Sequence, residues 1–279
     1  MASNRIRLAI KTVVATLAVL GVAALSLGLA VLYGGWYNVG ATRQHFQFVH
    51  TLLEKGMHES VRHHARGITP PPFDARMARH GAAIYAAHCV KCHGAPGVAQ
   101  EDFGQSMQPV PGPLVDAARH WKEREMYWIT RHGIKMSGMP AWEFHLSEEE
   151  LWSVVAFLRE LPALTPQAYR AATEGAALPV LAPRSYPVDV ERGRTALAQH
   201  ACQACHLIPG VTGPDAYVGP PLKDMAERKF IAGSLPNSAD NLARWIRAPH
   251  EVDPATAMPQ LGVSERDARD MAAYLLQAR

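Results

Sequence analysis

The sequence predicts an all-α protein: one N-terminal transmembrane helix, then two small helical domains built on one plan. Three observations carry this. Residues 12–33 are an uncharged run of 22 residues rich in Val, Ala and Leu. Two later stretches, 74–162 and 188–279, each open with a helical segment that leads into Cys-x-x-Cys-His. Each stretch also closes with a capped amphipathic helix. Of the 279 residues, 48 % are apolar, which excludes a disordered chain, and only 19 % are charged, with a net charge of +3. A nucleic-acid binder would need a concentrated basic surface, and none is evident. The positive charge sits in the N-terminal arm. Residues 1–73 carry seven Lys/Arg against two Asp/Glu, whereas 74–162 carry nine against eleven and 188–279 ten against eleven.

The apolar run, as a helix, would span about 33 Å against a bilayer core of about 30 Å. Arg5, Arg7 and Lys11 precede it, and Trp36 and Tyr37 follow where interfacial aromatics belong. The prediction is an uncleaved anchor over 1–40, with the amino terminus in the cytoplasm and the rest outside. A cleaved signal peptide is the rival reading, but its apolar core is ordinarily shorter than this run.

Residues 41–73 read as a juxtamembrane amphipathic helix and a Pro-rich connector. Phe46, Val49, Leu53, Met57 and Val61 recur at helical steps, and Gly67 with Pro70, Pro71 and Pro72 ends the pattern. His45, His50, His58, His63 and His64 crowd this segment without a cysteine or carboxylate cluster. They are expected to pack on the first domain or near the membrane.

The two domains repeat one order of elements. ARHGAAIYAAHCVKCH opens the first and ERGRTALAQHACQACH the second. Mid-domain helices are expected near 122–132 and 239–248, each followed by Met-Pro in an irregular loop. The closing helices carry start signals: Ser147 with Glu150 in a capping box, and Ser264 ahead of Glu265 and Asp267. Leu151, Val154, Val155 and Leu158 form one core face, and Ala268, Met271, Ala272 and Leu275 the other. Gly81 and Gly193 should let the opening and closing helices cross closely, beside Tyr85 and Leu197. Each domain is small for an unaided core, and a large apolar cofactor would supply the missing interior. Between them, 163–187 is Ala/Pro-rich and reads as a linker.

The four cysteines fall into the two motifs and leave none for a structural bridge. Cys-x-x-Cys-His on a helix brings two thiols to a porphyrin edge for thioether bonds and turns the next imidazole to the iron. Cys89 and Cys92 would attach one haem, with His93 as axial ligand. Cys202 and Cys205 would attach the other, with His206 as ligand. A thiol redox pair is the rival for one such motif, but it does not account for two. Structural zinc lacks a second cysteine pair in either domain. A sixth ligand is expected from Met139, 46 residues after His93, and from Met258, 52 residues after His206. Each is followed by a loop-stiffening proline, and thioether sulfur favours ferrous iron. Met136 is the local alternative to Met139. Pro113 and Pro220 are expected to offer the carbonyl that accepts the histidine Nδ1 proton. Trp142 and Tyr217 are candidate propionate donors or plain packing residues. Arg131 and Arg244 are expected at the solvated surface.

The motifs CVKCHG with KMSGMPAW, and CQACH with GPPL and TAMPQLG, resemble two class I cytochrome c domains in tandem behind a membrane anchor. The likeness covers about 180 residues. The segment from GPPLKDMAERKF to DPATAMP is similar to the cytochrome c domain fused to subunit II of caa3-type haem-copper oxidases. It departs from that subunit in lacking copper-site cysteines and a cupredoxin domain. The resemblance implies two covalently bound haem c groups and an electron carrier rather than an enzyme. It further implies single electrons relayed from a quinol-oxidising complex or dehydrogenase to a terminal oxidase or other acceptor. The chain would sit in the bacterial inner membrane with the haem domains facing the periplasm. A dihaem cytochrome c peroxidase and a structural cytochrome subunit are the alternatives.

Overall fold

The computed structural model describes residues 2–175 and 187–278, with backbone alone at Ala2 and Ser3. The chain divides into two compact units, Met1–Leu178 and Pro179–Arg279. Among the described residues both are helical, with one short hairpin, β1 (Phe230–Ile231) with β2 (Leu235–Pro236), in the second.

Helix α1 (Ala2–Tyr33) is long and apolar enough to cross a membrane, and its apolar window buries nothing against the protein. Helix α2 (Gln47–His64) is shorter than the periodicity suggested. Phe46 at its N-cap has a non-helical ψ of 142° and caps no backbone N–H with its side chain. Val61 is buried, His58 stacks on Trp121 at 4.3 Å between centroids, and His64 lies 5.6 Å from Trp128. The C-terminal half of the histidine-rich segment therefore packs on the first domain, whereas His45 and His50 are exposed.

In the first domain α3 (Ala75–Ile84) opens the unit from an Asp74 cap and runs through one wide turn, Tyr85–Cys89, into α4 (Val90–His93). Helix α5 (Glu123–His132) crosses the middle, and α6 (Glu148–Glu160) closes the unit. The box at Ser147 is formed: Ser147 Oγ accepts from Glu150 N at 3.3 Å, and Glu150 Oε2 accepts from Ser147 N at 2.7 Å. Leu151, Val154, Val155 and Leu158 are buried as their spacing required. A β-carbon at Gly81 would stand 1.9 Å from the Ser153 carbonyl oxygen, so only glycine allows this crossing of α3 and α6.

The stretch read as linker holds a further helix, α7 (Pro166–Thr173). Thr165 caps it, Pro166 stands in its first turn, and Tyr169 is buried 6.4 Å from both Tyr85 and Phe157. Its proline content masked a helix start. Residues 176–186, with Pro179 and Pro183 of the expected linker, lie outside the described residues.

The second unit repeats the plan with α8 (Val190–Gln199), α9 (Ala239–Arg247) and α10 (Glu265–Leu275). Ala268, Met271, Ala272 and Leu275 form its core face. Gly193 mirrors Gly81: a β-carbon there would meet the Asp270 carbonyl oxygen at 2.0 Å. One difference is local. Gly193 to Cys202 is one residue longer than Gly81 to Cys89. Helix α8 stops at Gln199, Ala201 takes a left-handed φ of 54°, and Cys202–Ala204 form a separate 3-10 turn.

Candidate haem-attachment sites

All four cysteines are half-buried in their turns, and none is in a disulfide. Burial and the neighbouring Cys92 push the Cys89 thiol up to about 12. Burial, partly offset by a backbone hydrogen bond, pushes Cys202 up to about 11. A nucleophilic dithiol needs the opposite shift. Among the described residues, no group of three or more His, Cys, Asp and Glu side chains is placed to hold a metal ion by itself.

The two motif histidines are held alike. His93 Nδ1 donates to the Gly112 carbonyl at 2.7 Å, and His206 Nδ1 donates to the Pro220 carbonyl at 2.7 Å. A carbonyl only accepts, so Nδ1 carries the proton and Nε2 keeps its lone pair for a metal. Burial holds the His93 imidazole below its ordinary range, against the opposing pull of the Gly112 hydrogen bond. The ring is thus neutral and ready to ligate. For the first domain the acceptor is Gly112, not Pro113 as expected. The loop presents the carbonyl one residue earlier, and Gln100 Nε2 braces it by donating to Cys92 O at 2.6 Å and Pro111 O at 2.9 Å. In the second domain Gly219 lies flat against the His206 ring, where a β-carbon would come within 2.3 Å.

Tyrosines tie down the turns after the motifs, from different helices. Tyr85, next to α3, donates to Gly94 O at 2.6 Å, and Tyr274 on α10 donates to Pro209 O at 2.7 Å.

The two Met-Pro loops share one device. Met139 N donates to Ser137 Oγ at 3.2 Å, and Met258 N donates to Thr256 Oγ1 at 3.2 Å. Both methionines are partly buried, whereas Met136 is 98 % exposed and turns into solvent at φ 58°. A different sulfur, Met107, packs against this loop: a β-carbon on Gly138 would meet its Sδ at 2.4 Å. Trp142 begins a 3-10 turn and lies 5.2 Å from the His88 ring, and Tyr217 is exposed.

Arg131 keeps a solvated side chain, as expected, and is also tied into a polar cluster. Its Nε donates to Glu143 Oε2 at 3.0 Å and its Nη1 to Tyr127 at 3.2 Å, while His132 Nδ1 lies 3.3 Å from Glu143 Oε1. Burial alone would raise the Glu143 carboxyl, but the bonds and charges of His132 and Arg131 outweigh it and hold the group low. A depressed carboxyl contributes stability above its unfolded range and loses it as pH falls through the folded value. Glu143→Gln should therefore cost about 1 kcal/mol near neutral pH, and that cost should vanish under acid. Denaturant midpoints of the two proteins at pH 7 and pH 3 check this, since the gap must close at the lower pH. Arg244 is exposed as expected.

The family described as "Cytochrome C oxidase, cbb3-type, subunit III" matches residues 76–158, and "Cytochrome c" matches residues 190–279. Both domains are cytochrome c-like. The chain is also similar to the Cytochrome c oxidase subunit 2 of Alkalihalophilus pseudofirmus, 35 % identical over 117 residues. That alignment takes in 42 % of this chain and 33 % of the relative, so the chain spans about a third of that protein's length. The two cytochrome c-like domains and the apolar first helix mark a membrane-associated, haem-binding protein related to cytochrome c oxidase components.

Proposed function

We propose that the chain is a membrane-tethered carrier of single electrons with two covalently bound haem c groups. The observation that supports it is the duplicated pair of devices. In both domains an imidazole has its Nδ1 pinned to a backbone carbonyl at 2.7 Å, and a Met-Pro amide is anchored by a hydroxyl two residues earlier at 3.2 Å. Cys89 and Cys92 hold the first group and Cys202 and Cys205 the second. His93 with Met139, and His206 with Met258, would supply the ligands to the iron of each group. Haem c supplies a reversible one-electron iron couple, and a His/Met pair leaves it no open position for substrate.

The residues do the rest. The Gly112 and Pro220 carbonyls fix ring tautomer and orientation and raise ligand basicity. Ser137 and Thr256 hold the sulfur-bearing loops so that neither needs to rearrange as charge changes. Helix α1 keeps the domains in a thin layer outside the cytoplasmic membrane, which raises their effective concentration near integral partners. The matched families point to a respiratory oxidase complex as the setting, and the caa3-like second domain to a terminal oxidase as acceptor. A quinol-oxidising complex or dehydrogenase would be the donor.

The test is a spectroelectrochemical titration of the full chain in detergent, with Met139→His and Met258→His alongside. Two low-spin haems are expected, each variant lowering the potential of one and leaving the other. One haem that is high-spin, or that responds to peroxide, would overturn the double His/Met assignment in favour of a dihaem peroxidase. Two haems with no electron exchange with an oxidase would leave a structural subunit.

A further inference from the structure

The first unit holds a cleft of about 680 Å³ that none of the haem-attachment residues lines. It opens between the end of α2, the loop before α5 and the end of α6. Arg62, Arg66, Arg119, Lys122, Arg124 and Arg159 face it. Four of those six come from residues 74–162, a domain that is acidic in total, so the charge is gathered here rather than spread. Against them stand Glu123 and Glu125. Glu123 is held by Arg159 at 3.4 Å, and Glu125 is buried, its carboxylate accepting the Lys122 N–H at 2.9 Å.

Several cations are only lightly engaged. Arg62 pairs with Glu59 at 3.1 Å and Arg119 with Asp116 at 3.3 Å. Both pairs are exposed neighbours within a turn, a kind of bond worth little and easily exchanged. Arg66, Lys122 and Arg124 have no carboxylate within 4.0 Å among the described residues. Arg124 goes further. Its Nε–H is buried and has no hydrogen-bond partner among the described residues, a state that costs free energy unless something fills it.

Arg66, Lys122 and Arg124 leave net positive charge at a cavity large enough for a small ligand, with one buried guanidinium donor unsatisfied, and that combination suits a polyvalent anion. Arginine forks match phosphate oxygens in pairs, and the cavity lies in the size range of small-molecule sites. We infer that this cleft binds a phosphate-bearing anion, Arg124 supplying the buried donor and Arg66 and Lys122 the free charge. Two sources carry that chemistry: the headgroup of an anionic phospholipid and a free phosphorylated solute. The cleft does not depend on the haem reading, because none of the haem-attachment residues lines it and anion binding is read calorimetrically.

The experiment uses the haem-loaded full chain in a neutral detergent. Calorimetric titrations are run with pyrophosphate, with dihexanoyl phosphatidylglycerol and with dihexanoyl phosphatidylcholine, on the natural protein, Arg124→Gln and Arg66→Gln. Saturable one-site binding of at least one phosphate probe is expected, weakened about tenfold by either substitution and further by salt. Phosphatidylglycerol bound in preference to phosphatidylcholine, with pyrophosphate silent, would identify a lipid headgroup. Pyrophosphate alone would identify a free solute, and both together a site that reads phosphate itself. No saturable binding by either anion, or equal binding by Arg66→Gln with an unchanged Soret spectrum, overturns the inference. Arg66 is exposed, so that variant keeps the test decisive even where Arg124→Gln misfolds.

Discussion

Gly193→Ala should unfold the second domain near ambient temperature while leaving the first folded. The added methyl would stand 2.0 Å from the Asp270 carbonyl oxygen and 2.4 Å from its carbon, both backbone atoms that cannot swing aside. Helices α8 and α10 would have to separate by more than 1 Å, which strips contacts from Leu197, Met271 and Leu275 at the centre of the unit. Overpacking of a well-filled core costs about 1–3 kcal/mol, and a backbone wedge with nowhere to relax exceeds that. A domain of this size has a total stability of about 5–15 kcal/mol at most. Gly81→Ala should do the same to the first domain, with the Ser153 carbonyl as obstacle at 1.9 Å. Thermal melts followed at haem absorbance, with each variant losing one of two transitions, check this. A single substitution with both transitions intact would mean that the helices cross less closely than the structure has them.

The second large effect concerns the clasp beside that crossing. Arg192 on α8 forks to two carboxylates of α10, Asp270 at 2.6 Å and Asp267, which it also bonds directly. Asp270 is 1 % exposed and takes a further hydrogen bond from Asp189 N at 2.9 Å. Asp267 is shared with Ser264 Oγ at 2.7 Å and lies 3.6 Å from His200. Arg192→Leu strands two buried negative charges 3 residues apart on one helix, at an expected cost of about 3–5 kcal/mol. Replacing Arg192 and Asp270 together by apolar residues should recover much of that, because the penalty comes from unpaired charge. Urea titrations of the single and double variants read the difference. A cost near zero for Arg192→Leu would show the pair to be solvated. The first domain does the same job with weaker chemistry. His80 occupies the position of Arg192 and Glu150 that of Asp267, with 4.0 Å between them, while Ser153 stands where Asp270 does.

What the sequence made legible follows from locality. Caps, apolar spacing and the glycines act within a turn or at fixed offsets, so α6, α10, their core faces and both helix crossings could be predicted. The attachment motifs are local too. The parts that escaped prediction depend on chain path. Arg131 meets Glu143 across 12 residues, Tyr274 meets Pro209 across 65, and Arg192 meets Asp267 across 75. Choosing Gly112 over Pro113 as the His93 acceptor needs the loop's course. The orphan donor on Arg124 is visible only once α2, α5 and α6 stand around one cleft. Helix α7 is the exception: the Thr165–Pro166 start was readable, but the flanking prolines drew attention to the linker.

The extra residue ahead of Cys202 bears on how interchangeable the two halves are. A helix turns by about 100° per residue. Had α8 run on unbroken, that residue would swing both thiols a quarter-turn or more around the axis relative to the Gly193 crossing. The second domain breaks the helix instead with a left-handed step at Ala201, while the first reaches its motif through the wide turn at Tyr85–Cys89. The two attachment segments are therefore not modular parts. A chimera that exchanges only the five motif residues keeps its host's alignment. One that moves the preceding helix must move the break or the wide turn with it, or it will present the cysteines to the wrong side of the domain.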